Sequence, residues 1–160
     1  MKSCKLHILN VDISYEIFDK NDISAMSGKL TRGVIELARE KNINISKIAV
    51  ITYFRIAKPD DRNKGDGSRA MKWLISTIKD KEHADIILIL SMPLVGDYHR
   101  KPVGTDLNIM LSDQALFFEY NGFRNISALY HFEPLIPYIY MDSDSRPIIR
   151  EIIRLENDVI

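Results

Sequence analysis

Ser46 to Ile78 reads SKIAVITYFRIAKPDDRNKGDGSRAMKWLISTI, and this stretch decides the fold. Ser46 to Ala57 is rich in Ile, Val, Tyr and Phe, which predicts a long, mostly buried strand. Pro59 ends it, because proline has no N–H to give to a ladder. Met71, Leu74, Ile75 and Ile78 fall at i, i+3, i+4 and i+7, which predicts a helix with one buried stripe and leaves Lys72 and Trp73 off it. Ser68 is the expected helix cap. Between strand and helix stands Arg62-Asn63-Lys64-Gly65-Asp66-Gly67-Ser68. A strand, a polar glycine loop and a helix N-terminus in that order make a place for an anionic phosphate. Glycines let the backbone come close, and the first helical N–H groups carry the positive end of the helix dipole. Arg62, Lys64 and Arg69 add formal positive charge. The plainer reading of the same residues is a strand-to-helix turn with solvated charges.

Working outward, Ala84 to Leu90 is a short, continuous apolar run, the pattern of a central strand covered on both faces. Strand, helix and strand make a βαβ unit, so the strand from Ile86 should lie parallel to the one ending at Ala57. Ser91 to Asp106 reads as a long loop punctuated by Pro93, Gly96, Pro102 and Gly104. Leu107, Met110, Leu111, Ala115 and Phe118 mark a helix that ends at Asn121-Gly122 through a left-handed cap. Phe123 to Tyr130 and Ile136 to Met141 read as two strands, and Pro147 to Leu155 as a terminal helix. On the N-terminal side, Lys5 to Phe18 holds one or two strands, and Lys29 to Lys41 an amphipathic helix built on Leu30, Val34, Leu37 and Ala38.

The loop matches R-x-x-G-x-G with a proline three residues before the arginine. Ala115-Leu116-Phe117-Phe118-Glu119-Tyr120-Asn121-Gly122-Phe123 matches a helix ending at aromatic-x-x-x-Gly-Phe. In that order, the two resemble motifs A and B of the GCN5-related N-acetyltransferase family, over roughly Ser46 to Tyr140. The resemblance implies a mixed α/β fold, a single acyl-CoA N-acyltransferase-like domain with a sheet of about five to seven strands. It divides the chain into a divergent part at 1–45, a cofactor-binding core at 46–141 and an extension at 142–160. Before residue 46 the order of elements departs from the family, because a helix runs nearly up to the motif A strand. At least one early strand is therefore expected to be missing or displaced.

The resemblance further implies acetyl-CoA as cofactor and an amine, on a protein or a small molecule, as acceptor. Arg55, Ile56 and Ala57 would hold the pantetheine arm through backbone groups. Arg62, Asn63, Lys64, Gly65, Asp66, Gly67 and Ser68 would hold the pyrophosphate. Direct attack by the amine needs a polarised thioester carbonyl, a base for the amine and a proton for the thiolate. The family's general-acid tyrosine falls on Phe118, which has no proton to give, and an asparagine common earlier in that helix falls on Ser112. Tyr120 is the nearest phenol in sequence, although half a helical turn sets it off that face. His99, Asp97, Asp106, His131 and Glu133 are the remaining acid–base candidates; Tyr53 is a poor base with a phenol's ordinary pKa near 10. Asp66 stands where the family has an apolar residue. It either caps the helix or weakens phosphate binding. A second reading follows from Phe118 and Asp66: the fold and pocket persist as a coenzyme A-binding or protein-binding module without turnover.

Gly65 to Ala70 also fits a relaxed dinucleotide fingerprint, but Lys58 to Lys64 separates strand from glycine, where a Rossmann strand would run almost straight in. The 160 residues suit one core, and 22 acidic against 22 basic residues give no global electrostatic case for nucleic acid. No run approaches the roughly 20 apolar residues that span a bilayer. No signal-like h-region precedes Val11, and the single cysteine, Cys4, cannot close an internal disulfide, so the expected compartment is the cytoplasm. No metal-ligand spacing is present. A homodimer is compatible with the sequence.

Overall fold

The structure is a computed structural model, and it describes residues 1–23, 29–56, 65–91, 107–128, 130 and 135–159. In chain order the elements are β1 (Lys2–Ile8), β2 (Val11–Asp19), α1 (Lys20–Ile23), α2 (Lys29–Glu40), β3 (Lys47–Ile56), α3 (Asp66–Thr77), a π turn (Ile78–Glu82), β4 (Ile86–Ser91), α4 (Leu107–Tyr120), β5 (Phe123–Asn125), β6 (Ile136–Tyr140) and α5 (Pro147–Val159). The strands form one six-stranded mixed sheet in the order β1-β2-β3-β4-β6-β5. β3 and β4 are the parallel pair expected of the βαβ unit, and the other neighbours are antiparallel.

The N-terminal stretch resolves into two strands. Leu9 and Asn10 both have positive φ (49° and 63°), the two-residue turn whose twist suits a hairpin. Both early strands stand ahead of the helices. α1 and α2 lie between β2 and β3, which pair antiparallel across that long connection. β5 is shorter than expected, stopping at Asn125, whose side chain accepts hydrogen bonds from the Ser127 N–H and hydroxyl. Such an Asx turn pulls the backbone out of the ladder.

Each face of the sheet is covered. On one, Ala70, Met71, Leu74, Ile75 and Ile78 of the α3 stripe and Phe118 of α4 pack on Val11, Ile13, Ile51, Ile87 and Ile89. On the other, Val34 and Ala38 of α2 and Ile148, Ile149 and Ile152 of α5 pack on Ile48, Val50, Ile86 and Leu88. β4 is therefore apolar on both sides, which explains its unbroken run. Each fully buried aliphatic side chain contributes roughly 1.5–3 kcal/mol.

β3 changes face part way along. Ser14 of β2 pairs with Tyr53 and Tyr15 with Ile51, so Thr52 is an extra residue, a β-bulge. Ala49 and Ile51 face α3 before it, and Phe54 and Ile56 face α3 after it. Without the bulge, Phe54 and Ile56 would face the α2 side.

Candidate functional site

The bulge coincides with the parting of two strands. β3 and β4 pair only from Ile48↔Ile86 to Ile51↔Ile89. Beyond that point β3 stays with β2 as far as Val11↔Ile56, and β4 stays with β6 through Leu90↔Pro137 and Ser91↔Ile136. A bulged strand bends and twists more strongly than its neighbours. The result is a wedge between Thr52–Ile56 and Leu90–Ser91 in which β3 shares no ladder with β4.

α3 begins at the same end of the sheet. Its cap residue is Gly65, at φ 83° and ψ −2°, which brings no side chain to the first turn. The left-handed turn lets the helix start at Asp66, earlier than Ser68 as expected from sequence. Ser68 is inside the first turn, and the Asn121 side-chain amide donates to its hydroxyl at 3.4 Å. The Asp66 carboxylate accepts from Arg69 one turn on. That pairing offsets much of the repulsion a free carboxylate would exert on an anion at these amides.

Gly67 is buried for a different reason. A Cβ there would sit 3.2 Å from Cε2 and 3.3 Å from Cζ of Phe117. The Phe117 ring also lies 5.7 Å from that of Phe54 at the free end of β3. Phe117 and Asn121, one turn apart on α4, thus hold the α3 turn, and Asn121 also donates to the Phe117 carbonyl at 2.8 Å. The sequence had no signal for Phe117, which stands beside the motif position. Asn121 was legible only as the start of the cap, with Gly122 at φ 93°.

Phe118 is 6% exposed, with its ring 5.1 Å from Tyr138 and 6.2 Å from Phe123. It is a core residue. Tyr120 is 77% exposed on the solvent side of α4, away from the side that Phe117 and Asn121 turn to α3. Burial pushes the Tyr138 phenol up, so it stays protonated at neutral pH. Arg55 and Ile56 lie along the part of β3 that shares no ladder with β4, with Arg55 in register with Asp12 of β2. Asp12 in turn faces His7, whose Nδ1 is 2.7 Å from its carboxylate. His7 and Asp12, five residues apart, become neighbours only through the hairpin turn. Ala57, Arg62, Asn63, Lys64, Asp97, His99, Asp106, His131 and Glu133 lie outside the described residues. Among the described residues no group of His, Cys, Asp or Glu could hold a metal ion. No described helix is long and apolar enough to cross a membrane.

These features define a mixed α/β protein with a wedge between two parallel strands and a glycine-capped helix at its mouth. No protein-family model and no curated protein sequence matches the chain. Among solved structures it is similar to the polyamine N-acetyltransferase of Drosophila melanogaster, an enzyme that catalyses the formation of N-acetylagmatine. The two share 10% identity over 81% of this chain and 66% of that one, with a TM-score of 0.46. The chain therefore spans just under two thirds of that enzyme's length.

Proposed function

We propose that this chain is an acyl-CoA-dependent N-acyltransferase, with acetyl-CoA as donor and a primary amine as acceptor. The observation that carries the reading is the wedge opening after Ile51↔Ile89 with the Gly65 turn at its mouth. The residues present fit the cofactor. Backbone groups of β3 beyond the bulge have no β4 partner and can pair with the amides of an extended arm, as an added strand would. First-turn amides of α3, at which the cap residue Gly65 places no side chain, suit a diphosphate. Gly67 leaves Phe117 room to close over the turn.

Coenzyme A would supply an activated acyl thioester. The protein's part is positioning: β3 fixes the arm, the α3 turn fixes the diphosphate, and the wedge holds the carbonyl where an amine can reach it. A second reading is favoured by Phe118, whose ring sits in the aromatic core where an acid-supplying phenol would stand. On that reading the chain binds the coenzyme without turnover.

Calorimetric titration with acetyl-CoA tests the shared part of both readings. Thiol release with a panel of primary amines, from small alkylamines to a lysine peptide, separates them. Absence of binding at millimolar ligand would refute both. Tight binding with no release across the panel would leave the module.

A further inference from the structure

The sheet has a second opening, at the opposite end from the Gly65 turn. β4 and β6 pair from Ser91↔Ile136 down to Leu88↔Ile139, and the ladder stops there although Ile87 and Tyr140 would be the next pair. A cleft of about 290 Å³ lies at that point, with Ala84, Ile87, Tyr140 and Ile149 in its wall. Small-molecule pockets start near this size, so it suits a ligand much smaller than a nucleotide.

Two cations and one carboxylate line the cleft with bonding capacity to spare. Lys79 pairs with Asp142, and Arg146 gives one N–H to Asp85 at 2.6 Å. Both of those carboxylates are already satisfied. Asp85 also accepts from the Ser46 and Lys47 N–H groups, and Asp142 from Tyr140, Ser145 and the Asp144 N–H. The other donors of Arg146, in contrast, have no acceptor among the described residues, and Lys79, whose ammonium also lies 5.0 Å from the centre of the Tyr140 ring, has Asp142 as its one hydrogen-bond acceptor among them. The Asp144 carboxylate lines the same cleft, is exposed, and has no hydrogen-bond or ion-pair partner among the described residues. Spare cationic donors call for a carboxylate, which a guanidinium can grip through paired N–H groups. A free carboxylate calls for an ammonium. Between them lies an apolar wall.

We propose that the cleft between β4 and β6 binds a free α-amino acid with an apolar side chain. The α-carboxylate meets Arg146 and Lys79, the ammonium meets Asp144, and the side chain lies on Ile87 and Ile149. The site is separate from the wedge and does not depend on acyl transfer.

The test is calorimetric titration of the whole chain with L-leucine, with isocaproate, which lacks the ammonium, and with isoamylamine, which lacks the carboxylate. Leucine should bind, and each truncated probe should bind about tenfold or more weakly, the loss expected for one charged hydrogen-bonding group. Asp144→Asn touches an exposed side chain with no described partner, so it should fold normally. It should weaken leucine and isoamylamine and leave isocaproate unchanged. Ile149→Trp should weaken all three probes by filling the wall, and thermal unfolding checks that it folds. No heat with leucine at millimolar concentration, isocaproate binding as tightly as leucine, or wild-type leucine affinity in Asp144→Asn would each overturn the proposal.

Discussion

Gly65→Ala tests the helix start on which the wedge depends. At φ 83° an alanine pays for the left-handed backbone, and an added Cβ would meet nothing within 4 Å. The cost is therefore conformational alone, about 1–2 kcal/mol. The stiffer unfolded chain removes roughly 0.4–1 kcal/mol less entropy than a glycine chain would lose, but that gain accrues only where the native φ suits alanine. The expected loss is about 1 kcal/mol, or a fall in Tm of about 2–4 °C for a chain this long. Gly65→Asn should recover much of it, because asparagine tolerates left-handed backbone. Gly67→Ala behaves differently: helix propensity gains about 1 kcal/mol, while the 3.2 Å approach to Phe117 makes that ring give way. Denaturant unfolding of the three variants reads these stabilities, and acetyl-CoA titration reads the site. Gly65→Ala should weaken coenzyme binding beyond what Gly65→Asn does. If Gly65→Ala were as stable as the parent, or Gly65→Asn no better than alanine, the left-handed start of α3 would be wrong.

Phe118→Tyr should not raise turnover, because the ring faces Phe117, Phe123 and Tyr138. A hydroxyl buried there without a partner costs about 1–3 kcal/mol, and Phe118→Ala about 3–5 kcal/mol, both measurable by urea unfolding. For Asp142, burial alone would push the carboxyl up, but hydrogen bonds from Lys79, Tyr140 and the Asp144 N–H outweigh it and hold the group below its ordinary range. A depressed carboxyl stabilises the fold above about pH 4 and loses that contribution as pH falls through its folded value, so Asp142→Asn should flatten the acid limb of a stability–pH curve. Burial, helped by the Asp142 carboxylate, pushes Tyr140 up to about 12. The neutral phenol is thus favoured in the folded state, and its contribution is full below about pH 10 and lost as pH rises toward 12. Tyr140→Phe should remove that alkaline loss, and phenolate absorbance should show one fewer high-titrating tyrosine.

The parallel pair and the helices were legible because each rests on a period that burial enforces. Ile86 to Leu90 is apolar throughout because α3 covers one face of β4 and α5 the other. Met71, Leu74, Ile75 and Ile78 repeat because only one side of α3 meets the sheet. What sequence did not disclose are features set by pairing. Thr52 is a β-branched residue in a β-branched run, and nothing in its identity marks a bulge. Leu9 has no propensity for φ 49°; the hairpin register imposes it. Asp142 and Lys79 are neighbours only because the π turn and the end of β6 meet below the sheet. Tyr120 is turned to solvent, while Phe117, one residue from the motif position, took the place beside the glycine turn. Adjacent positions on a helix differ by about a hundred degrees, so a motif match fixes the helix but not which of two neighbouring rings faces the groove.

Both openings of the sheet trace to one stagger in β4. It shares a ladder with β3 over Ile86 to Ile89 and with β6 over Leu88 to Ser91, an offset of two residues in a strand of six. The unpaired part toward β3 therefore falls at the upper end and that toward β6 at the lower end. A one-residue slip of β4 is barred by its packing. A slip of one residue would turn Ile86 and Leu88 from the α5 face to the α3 face and exchange them with Ile87 and Ile89. All four are buried, and each pair is packed against a different helix, so such a slip would break both layers at once. Packing on both faces thus fixes which side chains of β4 meet each helix layer, and the two-residue offset between its ladders leaves the wedge at one end and the cleft at the other.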